Sequence, residues 1–96
     1  CENPEVEAIY LATPHQHHAA QAVRAARAGK HVLVEKPMAT TLHDCAAMIE
    51  ASQRAGTVLM TGHSHGQNGP VRHARRLIAT GRYGAARMFT TLECTD

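Results

Sequence analysis

Apolar residues along this chain alternate between short continuous runs and longer stretches that repeat every three to four positions. The first run, Val6 to Ala12, is β-branched and mostly apolar, as expected of a strand covered on both faces, and it ends at Thr13-Pro14. His15 to Ala28 reads as an Ala-dominated helix able to lie close to a sheet, with Gly29 placed to terminate it. His31 to Val34 is the next strand and leads directly into Glu35-Lys36-Pro37. Thr41 followed by Asp44 resembles a capping box, which predicts a helix through to Gly56. Leu42, Cys45, Ala46 and Ile49 recur there at helical spacing. Thr57 to Thr61 is a third strand, closed by Gly62 and followed by a polar loop from His63 to Gly69. A last helix starts at Pro70, with Val71, Ala74, Leu77 and Ile78 as its buried stripe and Gly81 at its end. Ala86 to Leu92 reads as a fourth strand of alternating exposure. Strands separated by helices at these lengths must run parallel, so the expected class is α/β.

Composition narrows this picture. With 44% hydrophobic residues the chain can fill a core, but only 3% are aromatic, so the core is aliphatic and suits close helix-on-sheet layers. The formal charge of +2 is too small to call for nucleic acid or a membrane surface. The arginines from Arg72 to Arg87 have one aromatic residue, Tyr83, among them and match no recognised nucleic-acid reading module, so they read as a solvated face. Cys1, Cys45 and Cys94 show no disulfide framework, which points to reduced thiols and a cytoplasmic setting. No apolar run reaches the length of a membrane span and no signal peptide is visible. Without an initiator Met, and with strands close to both termini, the chain reads as an internal piece of a longer protein.

In open parallel sheets ligands bind outside the carboxyl ends of the strands, and reactive residues collect there. Thr13-Pro14-His15-Gln16-His17-His18 follows the first strand, Glu35-Lys36-Pro37 the second, and Gly62-His63-Ser64-His65 the third. Five of the eight histidines fall in these three segments, which marks one site. A lysine at such a mouth can hold a substrate hydroxyl and shuttle its proton if burial or a nearby cation assists, and an oxidised nicotinamide ring is such a cation. The competing reading of Lys36 is a surface residue paired with Glu35. The histidines could instead hold a divalent metal, but no cysteine joins them and their spacing follows no established zinc pattern, so no metal is expected. His63 and His65 are candidates for substrate contact.

Three segments, V-E-A-I-Y-L-A-T-P-H-Q-H-H-A, A-G-K-H-V-L-V-E-K-P-M-A and V-L-M-T-G-H-S-H, closely resemble the glucose-fructose oxidoreductase, inositol dehydrogenase and rhizopine-catabolism (Gfo/Idh/MocA) family. The G-H-S-H run is similar to the branch acting on phthalate dihydrodiols, the dihydroxyphthalate dehydrogenases. The resemblance implies an NAD- or NADP-binding Rossmann domain, doubly wound, of which residues 1–84 are the C-terminal half. Residues 85–96 would begin a following α/β domain, whose sheet commonly forms the interface of a homo-oligomer (dimer or tetramer). It implies that Lys36 is catalytic and lies beside nicotinamide and substrate. Thr13, Pro14, His15 and His18 would line the cofactor, with Glu35, Lys36 and Pro37 shaping the nicotinamide pocket. The glycine-rich phosphate turn would precede Cys1, and the second domain's catalytic Asp and His would follow Asp96. Ser64-His65-Gly66 stands where many relatives carry an arginine, which favours an aromatic or carboxylated substrate over a sugar or polyol.

The function expected is therefore hydride exchange between NAD or NADP and a secondary alcohol of a cyclic small molecule. Two rivals are a non-catalytic family member serving as a cofactor sensor or partner-binding protein, and a His-rich metal-binding module.

Overall fold

A computed structural model describes residues 1–90. The elements are β1 (Ala8–Leu11), a 3-10 turn (His15–His17), α1 (His18–Arg27), β2 (His31–Val34), α2 (Leu42–Ala55), β3 (Leu59–Thr61), a second 3-10 turn (Ser64–Gln67) and α3 (Gly69–Ala79). The chain forms two compact units, the first ending at His63 and the second beginning at Ser64.

In the first unit the strands lie in the order β1-β2-β3 and both pairs are parallel, as the alternation of elements requires. The register sets Ile9, Val32 and Leu59 in one row and Leu11, Val34 and Thr61 in another. These side chains face α1 and α2, giving a core of Leu11, Ala22, Ala25, Val32, Val34 and Met48. Ala22, Ala25 and Ala26 let α1 approach the sheet closely, with no bulk to displace.

The helix ends follow local chemistry. Thr41 Oγ1 accepts the Asp44 backbone N–H at 3.0 Å, the N-terminal half of the capping box. The Asp44 carboxylate accepts from the Thr41 hydroxyl at 2.7 Å instead of reaching a backbone donor. Gly29, at φ 73°, ends α1 in the left-handed region. There Gly29 N–H donates to Ala26 O and Lys30 N–H to Ala25 O, the paired bonds of a Schellman motif.

Expectations about strand coverage, the α3 stripe and the fourth strand need correction. The strands are covered on one face only: β2 alternates exposed and buried, and Tyr10, Leu33 and Met60 lie exposed in one row of the other face. Sequential order with crossovers of one hand places both helices on the same side of the sheet. In α2 the buried residues are Met48 and Ser52, while Leu42 is 89% exposed and Ile49 is exposed as well. The helix is rotated so that its small and sulfur-bearing side meets α1 and the sheet, because α1 presents alanines that leave room for Met48. In the second unit, Val71, Leu77 and Ile78 of α3 are exposed, since among the described residues that unit supplies no sheet or second α-helix to close over an amphipathic stripe. Ala86 to Thr90 form no strand, and the remainder of the expected fourth strand lies outside the described residues. A strand there needs a partner for its backbone groups, and the described part of the second unit offers none.

Candidate functional site

Because the strands are parallel and adjacent, Thr13-Pro14, Glu35-Lys36-Pro37 and Gly62-His63 all leave the sheet at its carboxyl edge. Backbone bonds continue past the strand ends and pin these segments together. Glu35 N–H donates to Leu11 O at 2.9 Å, and Gly62 N–H donates to Val34 O at 2.8 Å. The rim is thus an extension of the sheet.

His18, the first residue of α1, is 0% exposed. Its Nε2 lies 2.8 Å from Thr13 O and its Nδ1 lies 3.0 Å from Pro37 O. One buried imidazole therefore joins the exit of β1 to the segment after Lys36. Both partners are carbonyl acceptors, so the ring satisfies both at once only when both nitrogens carry protons. With no exposed atom, His18 acts on the rim through the carbonyls it holds. His15 packs edge-on against it, ring centroids 5.7 Å apart, while His17 points elsewhere in the 3-10 turn and is exposed. Thr13 Oγ1 donates to Gln21 Oε1 at 2.7 Å, which fixes the strand exit to α1.

Glu35 does not pair with the Lys36 ammonium. Its Oε1 accepts the Tyr10 hydroxyl at 2.6 Å, and its Oε2 accepts the Lys36 backbone N–H at 3.1 Å. The Tyr10 bond, then the Lys36 N–H, hold the Glu35 carboxyl below the usual carboxylate range. The same bond pushes the Tyr10 phenol up. Among the described residues the one ion pair is Arg54–Glu50 on α2, so the exposed Lys36 side chain has no carboxylate partner. Gly62 sits against Glu35: a Cβ there would lie 3.4 Å from Oε1.

His63, at the end of the first unit, is exposed, its N–H turned back onto Thr61 O at 2.8 Å. His65 belongs to the second unit, in the Ser64–Gln67 turn, and is exposed. Among the described residues no three His, Cys, Asp or Glu side chains gather where they could hold a metal ion. Tyr10 was not among the residues singled out from sequence, and Gly62 was read only as the end of the third strand. The available signal was a tyrosine in a short apolar strand, a ring whose polar tip needs a partner.

Parallel strands, helices in the crossovers and reactive side chains confined to the carboxyl edge define a dinucleotide-binding α/β protein of Rossmann type. Comparison with known proteins carries this further. The family described as "Oxidoreductase family, NAD-binding Rossmann fold" (Gfo/Idh/MocA) matches residues 1–63, and the chain belongs to that family. Over 96 residues, all of this chain and 24% of the relative, it is 53% identical to 1-carboxy-3-chloro-3,4-dihydroxycyclohexa-1,5-diene dehydrogenase of Comamonas testosteroni. It is 47% identical to 1,5-anhydro-D-fructose reductase of Ensifer adhaerens over 91% of this chain and 27% of that one. Among solved structures, the WlbA dehydrogenase from Bordetella pertussis in complex with NADH and UDP-GlcNAcA superposes with a TM-score of 0.78 at 36% identity. That match covers 85% of this chain and 24% of the WlbA chain. The chain thus spans about a quarter of the length of these relatives.

The residues at the rim fit a nicotinamide cofactor. Strand-end backbone, an exposed ammonium and an ordered carboxylate lie together at the edge where the fold places such ligands. Thr13, Pro14, Glu35, Lys36 and Pro37 are the rim residues that could hold its nicotinamide end, with His15 and His18 behind them.

Proposed function

We propose that this chain is the catalytic-lysine part of an NAD(P)-dependent oxidoreductase acting on a secondary alcohol of a cyclic substrate. A carboxylated dihydrodiol is the first choice of substrate, with polyols and sugars as the alternatives. The observation that carries the reading is the state of Lys36. Its neighbour Glu35 is engaged by Tyr10 and by the backbone, which leaves the Lys36 Nζ without a carboxylate partner at the carboxyl edge of the sheet.

The nicotinamide, when bound, accepts or returns the hydride of the substrate carbinol. Lys36 Nζ holds the substrate oxygen and moves its proton, leaving bulk solvent or a second group to complete the transfer. Glu35 keeps its carboxylate on Lys36's own N–H and so fixes the backbone from which the lysine extends. His18 sets the spacing of the rim by holding Thr13 O and Pro37 O. The dihydrodiol choice draws on the name of the Comamonas relative at 53% identity. It also draws on Ser64-His65-Gly66, with His63 and His65 as the residues we assign to substrate.

Residues 1–84 belong, on this reading, to the dinucleotide-binding domain, and residues 85–96 open a substrate and assembly domain. We take the whole protein to be a cytoplasmic homo-oligomer, in keeping with the free Cys1 and Cys45 thiols. No helix among the described residues is long and apolar enough to cross a membrane.

The test is Lys36→Met in the whole enzyme. Turnover of a cyclic dihydrodiol should fall at least about a thousandfold, with NADH affinity within a few-fold of the unaltered protein. Unimpaired turnover would remove Lys36 from the reaction.

A further inference from the structure

Tyr10 and Glu35 come from different strands, and the register brings them together. Tyr10 pairs with Leu33 across β1 and β2, so Glu35, two residues further on, lies on the same open face at the diagonal position. The tyrosine side chain is long enough to span that diagonal, and its hydroxyl reaches Glu35 Oε1 at 2.6 Å. On the other flank Gly62 follows Thr61, the partner of Val34, and so stands beside Glu35. Gly62 borders the carboxylate without crowding it: a Cβ added there would meet Oε1 at 3.4 Å and both Cδ and Oε2 at 3.5 Å, ordinary van der Waals contact. Three strand ends therefore build one place for one carboxylate. Tyr10 is 58% exposed, and a hydrogen bond between groups this close to solvent contributes little to folding, so its use lies elsewhere.

We propose that Tyr10 is a positioning residue for Lys36: its hydroxyl holds the Glu35 carboxylate on the open sheet face and so keeps it from pairing with the Lys36 ammonium. The assignment rests on the reading of Lys36 as the reacting lysine. Without Tyr10 the carboxylate is released beside the lysine that follows it, and an ion pair there competes with the substrate oxygen for the same Nζ. The groups facing Glu35 are Tyr10 from β1, Lys36 from its own segment and His18 from α1, while Gly62 on the β3 side brings no charge.

The experiment uses the whole enzyme with NAD(P) and a cyclic dihydrodiol, comparing Tyr10→Phe, Glu35→Gln and the double variant. Phe keeps the ring and removes only the hydroxyl, so folding is spared. Tyr10→Phe should lower kcat about tenfold with cofactor KM changed less than about threefold, and should move the acid limb of the kcat profile to higher pH. In the Glu35→Gln background the same change should cost less than about twofold, because the group through which Tyr10 acts is gone. A Tyr10→Phe enzyme with unaltered kcat and acid limb, or equal costs in both backgrounds, overturns the assignment. If the unaltered enzyme shows no such turnover, or Lys36→Met remains fully active, it is the oxidoreductase reading or its lysine that has failed.

Discussion

Two buried or bridging side chains organise the rim, and each has a measurable signature. His18 is enclosed, and both its nitrogens face carbonyl oxygens at the ends of different strands. His18→Leu fills much of the same volume but takes the ring nitrogens away from both carbonyls. A loss of about 2–4 kcal/mol in urea unfolding is expected. A loss below about 0.5 kcal/mol would mean that water replaces the ring without cost. The Tyr10–Glu35 bond has a pH window instead of a large energy. Glu35 is held below its ordinary value, so the contribution is complete above about pH 4.3, the unfolded value, and disappears as pH falls through the folded one. Tyr10 is pushed up, so the contribution is complete below about pH 10 and disappears as pH rises through the folded phenol value. The difference in melting temperature between the unaltered protein and Tyr10→Phe should be small and level between about pH 5 and 9. It should shrink towards both extremes. A difference that does not vary with pH would show that the bond is not formed in solution.

Helices α1 and α2 show what periodicity determines and what it leaves open. Both were located within one to three residues by their caps: Thr41 with Asp44 at the start of α2, and Gly29 and Gly56 after the ends. Which face of α2 turns inward is not given by its periodicity. Leu42, Cys45, Ala46 and Ile49 form an apolar stripe of correct spacing, yet Met48 and Ser52 are the residues that become buried. Ser52 Oγ donates to Thr57 O at 2.7 Å, so this polar residue serves the core face by tying α2 to the chain entering β3. Met48→Ala should therefore cost about 2–5 kcal/mol, and Leu42→Ala less than about 0.5, in chemical denaturation. The reverse order would restore the stripe read from spacing. Thr41→Ala should cost about 1 kcal/mol through loss of the N-cap.

At the scale of the chain, the three-stranded sheet is covered on one face and open on the other. Both helices of the first unit lie on one face, and Tyr10, Leu33 and Met60 remain exposed on the other. The chain also contains no G-x-G-x-x-G turn, the element whose backbone N–H groups receive the pyrophosphate of a dinucleotide. On the proposed reading the rim would meet only the nicotinamide end of the cofactor. The 96-residue chain should accordingly bind NADH and NADPH more weakly than about 100 µM by isothermal titration. Micromolar affinity would show that the rim by itself supplies most of the binding.

The order of elements, their parallel pairing and the gathering of Thr13-Pro14, Glu35-Lys36-Pro37 and Gly62-His63 at one edge were all determined by the sequence alone. Alternating periods dictate the connections, and parallel connections dictate which ends coincide. Tertiary structure alone decided which side of α2 faces inward, which side of the sheet stays open, and which partners Glu35 and His18 take. A repeat of 3.6 or 2 residues sets angles within an element, not the element's rotation against its neighbours. A hydroxyl 25 residues from a carboxylate can meet it only once two strands have locked in register.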